Sequence, residues 1–235
     1  MKNNRKTKFF LDSVMIDEIR KYSWLISGVT TTPTFFKREN VDYENFVSNF
    51  RKEFPDLELH IEALGPTPED TEEQLKEIIN KEWFDPKKVV IKIPADLENL
   101  RIVSKYSKQN IMFNTHLIFN PSQAYLASIS GTSYVCPLIG RYADNVSKLI
   151  GKNMHGGDGD IGIELLNNVI DIVDNSPRSD LVRVMASSIR TVEDFHRSVL
   201  SGADVVTVPT KILELSIENE YTNQGIQTFL SDMGF

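Results

Sequence analysis

The chain has 235 residues, of which 40% are hydrophobic and 25% are charged, and its formal net charge is −7 at pH 7. This length and ordinary globular composition fit one large domain or two small ones. The negative charge provides no basic surface for nucleic acid and opposes binding to an anionic membrane, although local arginines and lysines remain available for small anions. The single cysteine, Cys136, excludes an internal disulfide framework and a metal site built from several thiolates.

The start of the chain, residues 1–8, is basic, and the apolar stretch after it covers only 9–11 before Asp12 interrupts it. This is too short for a secretory signal or a membrane span, so we expect a cytoplasmic protein. No break in composition marks a linker further on, which predicts a single domain over residues 1–235.

Short β-rich runs alternate with longer helical patterns down the whole chain, strand first and then helix. Eight βα units of this length predict a single-domain (β/α)8 TIM barrel, although an open doubly wound sheet would look similar locally. The predicted strands cover residues 8–11, 27–30, 57–62, 89–93, 111–117, 133–137, 181–186 and 205–208.

Three of the predicted helices begin with clear start signals. Thr67 precedes a proline and several acidic residues, and Asn120 precedes a proline and lies three residues before Gln123. Thr191 lies three residues before Asp194, which is the spacing of a capping box. These signals place helices after the third, fifth and seventh predicted strands.

Lys92 is a lone cation inside the apolar run VVIKIP at 89–94, which is typical of a buried strand. Burial penalises the ammonium form and lowers the pKa of a lysine, so part of the amine becomes an unprotonated nucleophile near neutral pH. Such an amine forms Schiff bases with carbonyl compounds. The alternative is that Lys92 extends its charged end to solvent or pairs with a carboxylate, as buried lysines mostly do.

In a barrel of parallel strands, the chemistry lies at the carboxyl ends of the strands and in the loops that follow. Most of the predicted strands end at or just before a polar side chain. Any one of these residues could be a helix cap or a turn former, but the whole set is harder to explain without a shared site. The set is Asp12, Thr30, Thr31, Thr32, Glu62, Lys92, Thr115, Arg141 and residues 187–190.

Segments spread over nearly the whole chain resemble, in order and spacing, the transaldolases, and especially the small subfamily that includes the fructose 6-phosphate aldolases. The resemblance implies Schiff-base aldol chemistry on sugar phosphates, with no metal or organic cofactor required. The segments are FLD at 10–12, GVTTTP at 28–33, VIKIP at 90–94, THLIF at 115–119 with QA at 123–124, YVCPLIGR at 134–141, MASSIR at 185–190 and GADVVTVP at 202–209.

The resemblance implies catalytic roles for four residues. Lys92 matches the family's nucleophilic lysine, which attacks a ketone and, after loss of water, becomes an iminium that withdraws electrons from the bond to be broken. Asp12 matches the family's general base, which removes a proton from the hydroxyl on the leaving side. Glu62 and Thr115 match the pair that positions a water while the carbinolamine loses its hydroxyl.

Five further residues match substrate contacts of the family. Arg141, Ser188 and Arg190 match its phosphate site, where guanidinium groups and a hydroxyl suit a dianion. Thr30 and Thr32 match positions that bind the rest of the substrate. The family usually has asparagine in place of Thr32, so we expect fewer hydrogen bonds there.

Two positions favour a transaldolase. Leu138 stands where true transaldolases tend to have phenylalanine and fructose 6-phosphate aldolases tyrosine, and Glu62 stands where those aldolases have glutamine. The predicted reaction moves a dihydroxyacetone unit from fructose 6-phosphate or sedoheptulose 7-phosphate to an aldose phosphate such as erythrose 4-phosphate, through Lys92. Two alternatives stay open: an aldolase that releases free dihydroxyacetone, and a non-catalytic barrel that binds sugar phosphates.

Two other patterns lack the context that a functional motif needs. Residues 157–162 satisfy G-x-G-x-x-G, but no predicted strand precedes them, which favours a flexible loop over a dinucleotide site. His60, His116, His155 and His196 lack the spacing of metal ligands, so we expect packing or surface roles for them. Of these, His60 and His116 should come nearest the mouth of the barrel.

The last segment, 222–235, places apolar residues at approximately helical spacing and must bury that face. In the subfamily that the chain resembles, a terminal helix packs on a neighbouring subunit of a ring-like homo-oligomer. A pentamer or a decamer is therefore expected, and packing of the helix on its own chain is the alternative.

Overall fold

The computed structural model of the protein describes residues 6–235, except for the side chain of Asp158, so the first five residues of the basic stretch 1–8 lie outside it. Eight parallel strands pair in chain order and close into a barrel, because the first strand also pairs with the last, from Lys8 opposite Val205 to Leu11 opposite Val208. The strands are β1 (Lys8–Asp12), β2 (Gly28–Thr30), β3 (Glu58–Glu62), β4 (Val89–Pro94), β5 (Phe113–Ile118), β6 (Tyr134–Pro137), β7 (Arg183–Ala186) and β8 (Val205–Val208).

Helices follow every strand and surround the barrel, with two of them after β2, β6 and β8. This architecture confirms the predicted (β/α)8 TIM barrel and excludes the open sheet. The helices are α1 (Ile16–Tyr22), α2 (Pro33–Glu39), α3 (Tyr43–Glu53), α4 (Pro68–Ile79), α5 (Leu97–Tyr106), α6 (Pro121–Ser130), α7 (Ile139–Ile150), α8 (Ile161–Asp174), α9 (Val192–Leu200), α10 (Thr210–Ile217) and α11 (Glu220–Asp232).

The predicted elements form close to their expected bounds. The helices predicted after Thr67, Asn120 and Thr191 begin there, and each of these residues forms a capping box, which was predicted for Thr191. The largest differences are at strand starts: the strands predicted at 111–117 and 181–186 begin two residues later. In the second case the N–H of Leu181 is hydrogen-bonded in a turn to the carbonyl of Arg178, before pairing with β6 begins.

Side chains alternate along each strand between the helix layer and the barrel interior. In β4, Ile91 and Ile93 face outward and join the large apolar layer under the helices. Val90 belongs instead to the cluster that fills the interior, and Lys92, two residues later, has the same inward direction. The interior cluster contains Phe10, Val90, Tyr134, Cys136, Leu138, Met185 and Val205.

Residues 157–162 form a short 3-10 turn, Gly157–Gly159, followed by the first turn of α8. The chain reaches this turn from α7 rather than from a strand, so the G-x-G-x-x-G pattern is not in a dinucleotide-binding context, as predicted. Asp160 caps α8 by accepting hydrogen bonds from the N–H groups of Gly162 and Ile163.

The terminal helix α11 has no buried residue. The apolar side chains of this helix and of the tail after it range from 38% exposed at Leu230 to 86% exposed at Phe235. The face is therefore not covered by the rest of the described chain. None of the helices that the structure describes is both long and apolar enough to cross a membrane.

Candidate active site

Lys92 lies in the barrel interior between Glu62 of β3 and Asn114 of β5, its neighbours in the parallel register. Only 4% of the residue is exposed. Its Nζ donates a hydrogen bond to the carbonyl oxygen of Thr31 over 2.7 Å and lies 3.3 Å from Oε2 of Glu62. Lys92 is therefore buried, as the strand pattern predicts, and it is also paired with a carboxylate.

Glu62 ends β3 and bridges two basic side chains. Its Oε2 faces Lys92, and its Oε1 contacts Nε2 of His116 in β5. Burial by itself raises the pKa of Glu62, but the charges of Lys92 and His116 outweigh burial and lower the pKa to about 2. Among the described residues, none donates a well-aligned hydrogen bond to either oxygen, so both keep lone pairs for a substrate or a water.

His116 completes a group that we call the Glu62 cluster, which consists of Glu62, Lys92 and His116. The imidazole is buried, and burial lowers its pKa. The carboxylate of Glu62 raises the pKa, whereas the charges of Lys92 and Arg141 lower it further. His116 thus lies near the barrel mouth, where the sequence places it, but in contact with an acidic partner.

Thr115 does not join the Glu62 cluster. It lies between Asn114 and His116 in β5, and because side chains alternate along a strand, it points to the helix layer. Its Oγ1 donates a hydrogen bond to Oγ1 of Thr132 over 3.0 Å. The water-positioning role implied for Thr115 therefore does not fit the structure, which places His116 at the inward position.

Asp12 ends β1 and is held by hydroxyl groups. Its Oδ1 accepts a hydrogen bond from Oγ1 of Thr30 over 2.7 Å, and that hydroxyl lies 2.6 Å from Oγ1 of Thr207 in β8. Burial raises the pKa of Asp12, and the hydrogen bond from Thr30 and the charges of Lys92 and Arg190 offset only part of this. A carboxylate with a raised pKa accepts a proton readily and suits a general base.

Thr32 has a different environment from Thr30. It is the N-cap of α2, and its hydroxyl accepts a hydrogen bond from the N–H of Phe35 at 3.4 Å. Among the contacts of the described residues, none joins Thr32 to the Glu62 cluster. Its contact with substrate stays a prediction.

Arg141, Ser188 and Arg190 come together at the N-terminus of α7. The backbone N–H of Arg141 donates a hydrogen bond to Oγ of Ser188 over 3.1 Å. Gly140 makes this approach possible, because a Cβ there would lie 2.1 Å from the carbonyl oxygen of Ser188 and 2.6 Å from Cγ of Arg190. Nη2 of Arg190 lies 3.4 Å from the carboxylate of Asp144. The hydroxyl of Ser188 and the exposed side chain of Arg190 thus lie at the helix N-terminus that carries Arg141, an arrangement that suits an anion.

Sequence reasoning missed Asn114, Thr207 and the contact of His116 with Glu62. Nδ2 of Asn114 donates a hydrogen bond to Nδ1 of His60 over 2.8 Å, and its Oδ1 is buried without a partner among the described residues. Strand alternation is the signal that could have found them, because all three side chains share the inward direction of the predicted site residues.

The fold is similar to that of a solved structure, thiamine phosphate pyrophosphorylase from Pyrococcus furiosus. The TM-score is 0.51 at 12% identity, over 88% of this chain and 87% of that one. At this identity the similarity supports the fold alone.

Proteins related in sequence share a higher identity with this chain than that solved structure does. A protein of Caldicellulosiruptor saccharolyticus named "Probable transaldolase" is 35% identical over 227 residues, which cover 96% of each chain. A protein of Oceanobacillus iheyensis with the same name is 34% identical over 227 residues, which cover 96% of this chain and 97% of that one. The family model described as Transaldolase/Fructose-6-phosphate aldolase matches residues 9–233. The chain therefore belongs to the transaldolase/fructose-6-phosphate aldolase family.

Proposed function

We propose that this enzyme is a transaldolase that moves a dihydroxyacetone unit from a ketose phosphate, fructose 6-phosphate or sedoheptulose 7-phosphate, to an aldose phosphate such as erythrose 4-phosphate. The observation that carries the proposal is Lys92, buried in the barrel interior with its amine beside the carboxylate of Glu62. Family membership supports the class of reaction. The names of the relatives support transfer of the unit over its release.

In the proposed reaction, the neutral amine of Lys92 attacks the ketone of the donor, and loss of water gives an iminium. The iminium accepts the electron pair of the neighbouring C–C bond as that bond breaks, so the three-carbon unit stays on Lys92 as an enamine. The enamine then attacks the incoming aldehyde, and hydrolysis releases the product. The iminium is itself the electron sink, so the proposal requires no metal or organic cofactor.

Asp12 is the proposed general base. Cleavage requires loss of a proton from the hydroxyl of the leaving fragment, and the raised pKa of Asp12 supports transfer to its carboxylate. The hydrogen bond from Thr30 to Oδ1 supports this role because it orients the carboxylate. The proton returns to the oxygen of the acceptor when the new bond forms.

Arg141, Ser188 and Arg190 are the proposed ligands of the substrate phosphate. In this proposal Arg190 exchanges its contact with Asp144 for the phosphate dianion. Thr30 and Thr32 are the proposed contacts for the donor's hydroxyl groups. Their position at the end of β2 supports this, because the donor must lie between the phosphate ligands and Lys92.

Leu138 supports transfer over release. It is buried in the interior cluster beside Cys136 and Met185, directly before α7. A transferase must keep its enamine from being protonated until the aldehyde arrives, and an alkyl side chain supplies no proton donor.

Borohydride reduction in the presence of fructose 6-phosphate tests the proposal, because reduction converts a Schiff base into a stable secondary amine. A dihydroxyacetone-sized addition on the peptide that contains Lys92 is expected by peptide mass mapping, and it should be absent from Lys92→Met. Lys88→Met is the matched control, since Lys88 precedes the same strand and its Nζ binds the carbonyl of Asp56. Wild-type protein without an adduct would overturn the proposal. Consumption of fructose 6-phosphate without an acceptor aldehyde would indicate an aldolase instead.

The proposed assembly is a pentamer or a decamer in which α11 packs on a neighbouring copy of the chain. Tyr221, Phe229 and Met233 support it, because they are 81%, 69% and 72% exposed and leave apolar surface of this segment open to a partner. Light scattering after size-exclusion chromatography tests it. Phe229→Glu should lower the mass, whereas Gln227→Glu, on the side of α11 opposite Phe229, should not, and a monomeric wild type would contradict the proposal. The cytoplasmic location stays a prediction.

A further inference from the structure

The Glu62 cluster contains a histidine that the steps above do not use. His116 contacts one carboxylate oxygen of Glu62, and the other oxygen lies 3.3 Å from Nζ of Lys92. One carboxylate therefore connects two groups that can each hold a proton. The three side chains come from the adjacent strands β3, β4 and β5 and meet at the carboxyl end of the barrel.

Glu62 is suited to passing a proton and not to storing one. Its pKa of about 2 keeps it ionised at neutral pH. An imidazole holds or releases a proton near neutrality. The charged groups that face His116 are Glu62 from β3, Lys92 from β4 and Arg141 from α7, and Glu62 is the one that favours its protonated form.

Building on the proposed Schiff-base function, we infer that His116 is a catalytic proton carrier, which takes the proton of Lys92 through Glu62 and delivers it to the hydroxyl of the carbinolamine. Before reaction, the proton is on the ammonium group of Lys92. Its transfer leaves a neutral amine, the Glu62 carboxylate and an imidazolium at His116. The net charge of the cluster is unchanged, so a lysine paired with a carboxylate becomes a nucleophile without leaving an unbalanced buried charge.

The protons and electrons balance over the step. The amine lone pair forms the N–C bond, the π pair of the ketone moves to its oxygen, and one proton moves from nitrogen to that oxygen through Glu62. The remaining nitrogen lone pair then forms the C=N bond while the C–O bond breaks toward oxygen. That oxygen takes the imidazolium proton of His116 and leaves as water. The products are the iminium, a water and a neutral imidazole, and hydrolysis reverses these transfers.

Two threonine hydroxyl groups, one on Thr31, whose carbonyl binds Lys92, and one on Thr115, which points to the helix layer, are engaged elsewhere. Oγ1 of Thr115 donates to Thr132, and Oγ1 of Thr31 donates to the carbonyl of His60. Neither is free in this arrangement to give a proton to the carbinolamine, whereas the imidazole of His116 contacts Glu62 directly.

Exchange of the ketone oxygen of fructose 6-phosphate with 18O-labelled water tests the inference, because each cycle of iminium formation and hydrolysis replaces that oxygen. His116→Gln and His116→Thr should exchange about 10²-fold more slowly than wild type, whereas His196→Gln should stay within about twofold. His196 is a matched control because it is exposed on α9 and packs on Phe195. Because burial lowers the pKa of His116, the wild-type rate should follow an ionisation below the ordinary imidazole value of 6.5, and this ionisation should be missing in His116→Gln. Inhibition by inorganic phosphate should be equal in all variants.

Each outcome decides the inference. Exchange at the wild-type rate in both folded His116 variants overturns it, and so does an unchanged pH profile in His116→Gln. If wild type traps substrate on Lys92 with borohydride while the His116 variants exchange normally, the proposed function stands and the role of His116 falls. If wild type neither traps nor exchanges, both fall.

Circular dichroism shows whether the variants fold. If only His116→Gln is misfolded, His116→Thr decides the inference. If both are misfolded, the wild-type profile decides, since exchange without an ionisation below the ordinary imidazole value of 6.5 overturns the inference.

Discussion

The barrel interior holds two glutamate–histidine pairs with different surroundings. Glu58 and His60 form the lower pair: Nε2 of His60 lies 2.8 Å from Oε1 of Glu58, and its Nδ1 accepts a hydrogen bond from an asparagine amide. Glu62 and His116 form the upper pair, at the carboxyl end. They contact each other beside Lys92, and neither oxygen of Glu62 accepts a well-aligned hydrogen bond from the described residues.

The two pairs have the same residue types but different hydrogen bonding, so residue type alone does not decide which pair is reactive. In the lower pair both ring nitrogens of His60 are hydrogen-bonded, the ring packs edge-on against Phe10 and Tyr134, and burial lowers its pKa, so the ring is a neutral, fixed group. In the upper pair the bonding is incomplete, and a substrate can complete it. We therefore expect reactive groups where buried polar side chains lack hydrogen-bond partners and face a ligand.

The largest expected effect comes from Lys92→Met, which removes the residue that makes the upper pair different. Transfer activity should fall to background, a loss on the order of 10⁶-fold, because the Schiff base cannot form. Without that cation, the pKa of Glu62 should rise above about 2, because burial is then less opposed. A coupled enzyme assay measures the first effect, and NMR of 13C-labelled glutamate measures the second. If Lys92→Met turns over like wild type, Lys92 does not make the upper pair more reactive than the lower pair.

The next effect is on acid stability. The pKa of Glu62 falls from an ordinary 4.5 to about 2 on folding. A lowered pKa stabilises the fold above the unfolded value, by about 3 kcal/mol here, and the stabilisation is lost as pH falls from about 5 toward 2. Urea unfolding should therefore show a gap between wild type and Glu62→Gln that shrinks in acid. A gap independent of pH would contradict the pairing with Lys92 and His116.

In the lower pair, His60→Gln should affect stability without changing the pH profile of the reaction. The free energy of unfolding should fall by about 2 kcal/mol, because the packing on Phe10 and Tyr134 is lost and Glu58 loses its hydrogen bond. Urea unfolding measures the first quantity, and the rate against pH measures the second. If His60→Gln removes the ionisation assigned to His116, the two pairs are not separate.

The smallest effect is expected for Thr115→Val, which keeps the shape of the side chain and removes its hydrogen bond to Thr132. The free energy of unfolding should fall by about 1 kcal/mol, while the rate stays within about twofold of wild type. Steady-state kinetics beside urea unfolding test both. If Thr115→Val loses as much activity as His116→Gln, then Thr115 has a role in the reaction.

Much of the barrel could be predicted because its signals are local. Burial on both faces gives β4 its continuous apolar run around Lys92, and the capping boxes at Thr67, Asn120 and Thr191 mark helix starts through side chains three residues apart. Strand starts were less predictable, since Leu181 continues the apolar pattern of β7 but lies in a turn before any neighbour pairs with it.

The candidate site was only partly predictable, because a strand pattern does not state which face meets which neighbour. Lys92, Glu62 and Asp12 were found because each ends or interrupts a strand. In β5, however, Thr115 is flanked by two polar residues, and the choice among them depends on the register between β4 and β5, where Lys92 lies opposite Asn114. A shift of one residue in such a register exchanges the inward and outward faces.

By itself, the sequence determined the eight strands, the order of strands and helices, and the buried lysine, since each of these follows from hydrophobic period and from contacts between residues close in the chain. Only the tertiary structure decided that His116 rather than Thr115 meets Glu62, and that Thr207 supports Asp12 through Thr30. These contacts join different strands, and closure of the barrel is what sets the relative height and direction of their side chains.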